Sequence, residues 1–459
     1  MSEKKVDRRQ YIKYIGSFII GAIIFGGGVA AYYATQPVKE KVIEKTVTVP
    51  GAKETITITK TPEPTTITRT IEVTRTITAS PSPLPPIKIG VLTPLSPPGD
   101  PAAGKLIIRG AELAVEHLNA KGGVLGRKLE LVIEDDAGTP EKGAAGALKL
   151  ATVDKVCAII GQFHSSVMLA AMDVAETNKV PIFSTQASAK SITAKHYEYT
   201  FRTHVYDTPR TILWNKFIKD MGYKRVAILA ENTDYGIGLV TDTKETMKKL
   251  GITFELKDII FDRKVVDLTP QLLEIKAWNP DLLINIGVGA PCYLMIKQSI
   301  DIGLFPKVPQ LVSYDAPIRP EYWDNVGAKG NYILAIIYYH PNQPLTAMGI
   351  EMRKAYEEKY KEPPIYGAIS AYGQVMIIAQ AIEYAKSADP TKLKEVLETR
   401  AFIHPLSANV TMPRAEGAEW HHWTPPMMIV QHQKPMGKME EMVIIYPYEM
   451  ATGKLVTPT

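Results

Sequence analysis

The chain has 459 residues, 45% of them apolar, and a formal net charge of only +5 with both signs interspersed. That length accommodates two or three folding units of about 100–200 residues each, and the apolar share suffices for ordinary globular cores. The dispersed charge excludes the concentrated basic face that nucleic acid demands, so no nucleic-acid partner is expected.

The chain opens on a basic stretch, with Lys4, Lys5, Arg8, Arg9 and Lys13, followed by an uncharged run up to Lys39. Residues 14–33 read YIGSFIIGAIIFGGGVAAYY. About 20 helical residues cross a hydrocarbon core. The basic flank places residues 1–13 in the cytoplasm, and Tyr32 and Tyr33 suit the outer interface. Residues 14–34 are therefore expected to be a single transmembrane helix, with everything after them outside the cell membrane. A cleaved signal is the competing reading: Arg8-Arg9-Gln10-Tyr11-Ile12-Lys13 resembles a twin-arginine export signal, and Ala30, Ala31 and Ala34 suit a cleavage site.

Residues 35–86 are rich in Thr and end in Ser80-Pro81-Ser82-Pro83-Leu84-Pro85-Pro86. Such composition reads as an extended stalk. Its Thr-Ile alternation is also a strand pattern, but it shows no strong apolar face to bury, and a spacer is expected.

From Ile87 short apolar strands alternate with helices. Strands are predicted at 87–92, 128–134, 156–160 and 180–183, with helices at 104–119, 141–152 and 165–178. The pattern restarts after about residue 206. Strands follow at 226–230, 254–260, 282–287 and 310–313, with helices at 236–250, 269–278 and 293–302. Such alternation implies right-handed βαβ units and parallel sheets. Helices are predicted at 346–360, 367–386 and 391–398, and strand texture returns at 427–431 and 442–446. The fold class is thus α/β, with two doubly wound parallel-sheet lobes joined by a multi-strand hinge. The expected division is 87–206 with 341–400 for the first lobe, 207–340 with 401–447 for the second, and a tail at 448–459.

In open parallel sheets ligands bind beyond the carboxyl ends of the strands, so the cleft between lobes is the expected site. Ser165 and Ser166 follow a strand and open a helix, where hydroxyls and free N–H groups suit a carboxylate; plain N-capping by serine is the alternative. Cys157 and Cys292 sit in apolar strand-like contexts and read as buried thiols. No G-x-S-x-G, H-E-x-x-H or P-loop motif occurs, so no enzyme and no cofactor are expected. Asp135 and Asp136 give only a weak suggestion of a metal. His421, His422 and His432 lie near Trp420 and Trp423 and read as packing and surface residues.

One segment is distinctive: Gly110-Ala111-Glu112-Leu113-Ala114-Val115-Glu116-His117-Leu118-Asn119-Ala120-Lys121-Gly122-Gly123-Val124-Leu125-Gly126-Arg127-Lys128-Leu129-Glu130. With it go Glu134-Asp135-Asp136-Ala137-Gly138-Thr139-Pro140, Gly161-Gln162-Phe163-His164-Ser165-Ser166 and Asn232-Thr233-Asp234-Tyr235-Gly236-Ile237-Gly238. Together these resemble the Leu/Ile/Val-binding protein family, the type I periplasmic binding proteins of ABC importers, over about residues 87–447. The resemblance implies an extracytoplasmic solute-binding protein that captures an amino acid, branched-chain or related, and hands it to ABC permease subunits. It implies that Gln186 presents backbone groups and Ser188 its hydroxyl to the ligand, that Tyr235 closes over it, and that Asp315 holds its ammonium. His164 stands unusually beside Ser165. Val288-Gly289 replaces a family aromatic, and Leu95-Ser96-Pro97-Pro98-Gly99-Asp100 brings prolines and an acid to the first crevice loop. These departures leave a small amide or carboxylate open as the ligand. A ligand-sensing ectodomain is the alternative role, although the 13 residues before the apolar run hold no output domain.

Overall fold

A computed structural model describes residues 55–60, 67–72 and 84–458. The expected membrane segment at 14–34 and much of the expected stalk lie outside these. Among the described residues no helix is long and apolar enough to cross a membrane. Within the Thr-rich stretch, β1 (Thr55–Lys60) pairs antiparallel with β2 (Ile67–Glu72), Thr57 opposite Thr70. Here the strand pattern of β-branched residues is expressed as a hairpin, where a spacer was expected.

The unit from Pro83 onward contains two sheets. The first holds β3 (Ile87–Thr93), β4 (Leu129–Asp135), β5 (Ile159–Gln162), β6 (Ile182–Ser184) and β7 (Thr200–Arg202), all parallel, in the order β4-β3-β5-β6-β7. Its helices are α1 (Pro101–Ala120), α2 (Pro140–Thr152), α3 (Ser165–Asn178) and the short α4 (Ser191–Ala194). The second sheet is opened by α5 (Asp207–Asp220), and its parallel strands are β8 (Arg225–Glu231), β9 (Glu255–Phe261), β10 (Leu282–Ile286), β11 (Gln310–Val312) and β12 (Leu334–Ile337). The helices α6 (Asp234–Leu250), α7 (Thr269–Trp278), α8 (Ala290–Asp301) and α9 (Tyr322–Val326) lie between them in sequence.

The chain then returns to the first lobe with α10 (Ala347–Tyr360), α11 (Tyr366–Ala385) and α12 (Pro390–Thr399). Helix α11 is apolar on every side and buried along most of its length, as a helix packed all round must be. It crosses α1 so closely that a Cβ added at Gly110 would stand 2.1 Å from the Ala368 carbonyl oxygen. Next come the ribbon β13 (Ala401–His404) and β14 (Ser407–Thr411) and a segment that runs beside β7. There Arg202 N donates to His421 O at 3.0 Å, and Trp423 N donates to Arg202 O at 3.0 Å. Finally β15 (Met428–Gln431) and β16 (Val443–Tyr446) extend the second sheet antiparallel, beside β12.

The second lobe therefore resumes near residue 428. Residues 401–424 were expected there but pack on the first lobe, because β13 lies against α11 and the histidine segment lies along β7. The chain passes between lobes three times, near 203–206, 338–346 and 424–427. The second sheet is mixed rather than wholly parallel, since the returning strands enter from the far end of the chain.

Candidate ligand cleft

The carboxyl ends of the parallel strands of both sheets meet around a cavity lined from both lobes. From the first lobe, β5 ends at Gln162 and Phe163, His164, Ser165 and Ser166 follow into the cavity wall. His164 takes the N-cap position of α3 without a side-chain cap, so the first-turn N–H groups of that helix have no side chain from it. Ser165 Oγ accepts from Ala189 N at 3.1 Å, which leaves its own proton free to donate. Ser188, buried in the loop after β6, also lines the cavity.

Of the seven residues singled out in the sequence, the structure brings six into this wall: His164, Ser165, Ser166, Gln186, Ser188 and Tyr235. One of them, Gln186, differs from its expected role. Gln186 N donates to Gln162 O at 2.9 Å, so its N–H is already used. Its side chain reaches across to the second lobe, Nε2 donating to Asp315 Oδ2 at 3.0 Å. Tyr235 contributes its ring, while its hydroxyl lies 2.8 Å from Ser313 Oγ.

Asp315 is the seventh, and it is not in the wall. It is wholly buried behind it, its Oδ1 accepting from Arg319 Nε at 2.9 Å with Nη2 at 2.8 Å. Arg319 also bonds Asp100 of the first lobe at 2.7 Å. Burial opposes the Arg319 charge, but Asp100 and Asp315 beside it carry its pKa well above the ordinary value. The expected ammonium anchor is thus the counter-ion of an arginine four residues on, a pairing that chain spacing alone does not distinguish from a ligand contact.

The wall contains charged groups that the sequence reading missed. Arg210 comes from α5, a helix hidden from periodicity because its buried face carries Asp207, Arg210, Thr211 and Asn215. Its Nη1 donates to Ser188 Oγ at 3.1 Å and to Asp207 Oδ1 at 3.4 Å. Arg263, just after β9, donates to Pro98 O at 2.9 Å and to His164 Nε2 at 3.0 Å. His164 must then be neutral; burial, with Arg263 and Arg319 near, holds its pKa well below the usual value. Glu231 ends β8, accepting from Thr233 Oγ1 at 2.8 Å and from Val288 N at 3.0 Å, and burial pushes its carboxyl up. Phe163, Tyr314, Tyr338 and Tyr366 supply aromatic surface, with Tyr338 and Tyr366 stacked at 4.0 Å. Tyr314 offers an aromatic near Val288, where the sequence suggested that one was missing.

The other candidates are structural. Asp135 accepts from Leu95 N, Ser96 Oγ and Ala137 N, and Asp136 from Gly138 N. His421, His422 and His432 are buried rather than at the surface. His421 stacks on Phe201 and His432 on Tyr322, while His422 bridges Glu419 and His204 O. Cys157 and Cys292 are buried free thiols, and burial raises the pKa of both.

The family model described as periplasmic binding protein matches residues 86–436. The Leu/Ile/Val-binding protein homolog 2 of Brucella abortus is 30% identical over 321 residues, covering 68% of this chain and 82% of its own. The homolog 7 of Brucella suis is 28% identical over 328 residues, covering 68% and 80%. Among solved structures, a leucine-binding protein of Thermotoga maritima is 25% identical with a TM-score of 0.68, covering 78% of this chain and 97% of its own. A Rhodopseudomonas palustris solute-binding protein in complex with benzoate shares the fold at 22% identity and a TM-score of 0.66, covering 78% and 95%.

Proposed function

The chain belongs to the periplasmic binding protein family, as a substrate-binding protein of the ABC-transporter type, and on that footing we propose that its cleft captures a small carboxylate-bearing solute for import. The observation that carries this reading is the cavity between the two sheets, into which Ser165, Ser166 and Ser188 project beside the start of α3. A carboxylate there meets hydroxyl donors, helix N–H groups and a guanidinium, while ring faces cover the rest of the molecule. The relatives' names include Leu/Ile/Val binding and one fold neighbour holds benzoate, so amino acids and simple organic acids are both candidates. Because Asp315 is engaged by Arg319, the support lies with the carboxylate end of the ligand rather than with an ammonium.

In the same reading the protein is a receptor rather than an enzyme, and ABC permease subunits are its partner. The uncharged run at 14–33 tethers it to the cell membrane with the binding unit outside. A thermal-shift screen of the purified full chain against amino acids and small organic acids tests the binding. A cognate solute should raise the melting temperature in a concentration-dependent way. A flat response to every carboxylate would remove the reading.

A further inference from the structure

We propose that the cleft selects an organic anion lacking an ammonium group, and that Arg210 sets this preference by holding the carboxylate beside Ser188 and the start of α3. This rests on the receptor reading of the same cleft and narrows its ligand.

The first ground is the supply of acids. An ammonium brings three donors and a charge that, in a closed site, needs an anion. Among the described residues the only carboxyl in the cavity wall is Glu231. It is 1% exposed, and both its oxygens already accept, from Thr233 Oγ1 and Val288 N. Asp315 is taken by Arg319 and Gln186. Asp207 is not in the wall and lies 3.4 Å from Arg210 Nη1.

The second ground is the supply of cations. Arg210 is 6% exposed and lines the cavity; Asp207 meets its Nη1 only at 3.4 Å, and Arg210 Nε and Asp207 Oδ2 both lack a partner. Arg263 also lines it, and among the described residues no carboxylate lies within 4.0 Å of its guanidinium. A guanidinium presents paired donors that match the two oxygens of a carboxylate. Arg210 belongs to the second lobe, Ser188 to the first, and Ala189 N links that loop to Ser165 Oγ. An anion at this point touches both lobes at once.

The third ground is the shape of the remainder. The hydroxyls of Tyr235 and Tyr338 are engaged by Ser313 at 2.8 Å and Ser370 at 3.3 Å. These two tyrosines thus offer the ligand ring carbon rather than a free hydroxyl, which suits an apolar or planar body.

Calorimetry on the purified full chain with two matched pairs tests this: L-leucine against 4-methylpentanoate, and L-phenylalanine against 3-phenylpropanoate. Within each pair only the α-amino group differs. The deaminated member of at least one pair should bind roughly tenfold tighter or more. Arg210→Gln should lower the affinity of that acid by about 30-fold or more and erase the preference, with Arg210→Lys recovering part of it. The comparison within pairs uses the native chain, so it holds whether or not the variants fold. An amino acid that binds as tightly as its deaminated partner overturns the preference and leaves the receptor reading standing. Binding of some other solute but of neither pair also overturns it. Failure of every solute tried removes the receptor reading as well.

Discussion

Arg319 Nη1 lies 2.7 Å from Asp100 Oδ2, with the two side chains 0% and 5% exposed. Asp100 caps α1 of the first lobe and Arg319 follows β11 of the second, so a buried ion pair joins the lobes. Asp315 is the second anion on the same guanidinium. Removing one member of such a group strands the other charges in a place water cannot reach, at a cost of about 3–5 kcal/mol. Arg319→Gln should therefore lower the urea midpoint by a corresponding amount. It should also enlarge the radius of gyration in solution scattering, because the contact it loses spans the cleft. A variant that melts and scatters like the parent would show that the pair does not hold the lobes together.

Gly110 makes a second test of the packing. Glycine in a helix interior is ordinarily worse than alanine by about 1 kcal/mol, so alanine at an unconstrained position would stabilise. Here the added methyl would meet the Ala368 carbonyl of α11 at 2.1 Å. Helices α1 and α11 would have to part, and overpacking of that kind costs about 1–3 kcal/mol. Gly110→Ala should thus destabilise in thermal melts; a gain would mean that the two helices do not approach this closely.

Asp136 ties stability to pH. It is fully buried, one oxygen accepting from Gly138 N and the other without a partner. Burial raises its pKa from 3.8 to about 7, Asp135 adding to the shift and Arg263 opposing it. A raised folded-state pKa means that the native chain binds a proton the unfolded chain has released. The associated stability is present in full below pH 4 and is lost as pH rises through about 7. Asp136→Asn mimics the protonated form, so it should come close to the parent near pH 4 and exceed it by about 4 kcal/mol at pH 8. Denaturant melts at both values check it; equal stability at pH 8 would mean that the carboxylate is comfortably solvated.

Most strands and helices were legible because each carries a local period or an apolar run, as in α3, which begins and ends where the sequence placed it. Among the elements missed, β12 is an apolar run that went unread, whereas α5 and β7 carry a signal that is not local. Helix α5 buries Asp207, Arg210 and Asn215, so its inward face reads as polar. Strand β7 has three residues and is completed by His421 and His422, over 200 positions away. For the site, serines that follow a strand and open a helix announce themselves, and resemblance supplied Gln186, Ser188 and Tyr235. Arg210, Arg263 and Glu231 were missed because a charge facing a cleft and one facing solvent look alike in a chain. Asp315 was misread for the converse reason: its partner, Arg319, sits one helical turn away, and only the fold shows that the two are paired.

That misreading makes the last prediction. Read from resemblance alone, Asp315→Asn should weaken binding more than Ser165→Ala. The structure reverses the order. Asp315 reaches the cavity only through Gln186, and its charge is spent on Arg319. Replacing it should cost stability, about 2–4 kcal/mol, since Arg319 would keep Asp100 as its one close buried anion. In the fraction that remains folded, affinity for a simple carboxylate should change about threefold or less. Ser165, in contrast, lines the cavity with a free hydroxyl proton, and its Oγ fixes Ala189 N in the loop that carries Ser188. Ser165→Ala should lower affinity for the tightest carboxylate of the panel by roughly five- to tenfold, about 1 kcal/mol, with a smaller effect on the melt. Calorimetry paired with urea melts on both variants separates the two effects. If Asp315→Asn melts like the parent yet loses most of its affinity, the aspartate meets the ligand after all, and an ammonium returns as its most direct partner.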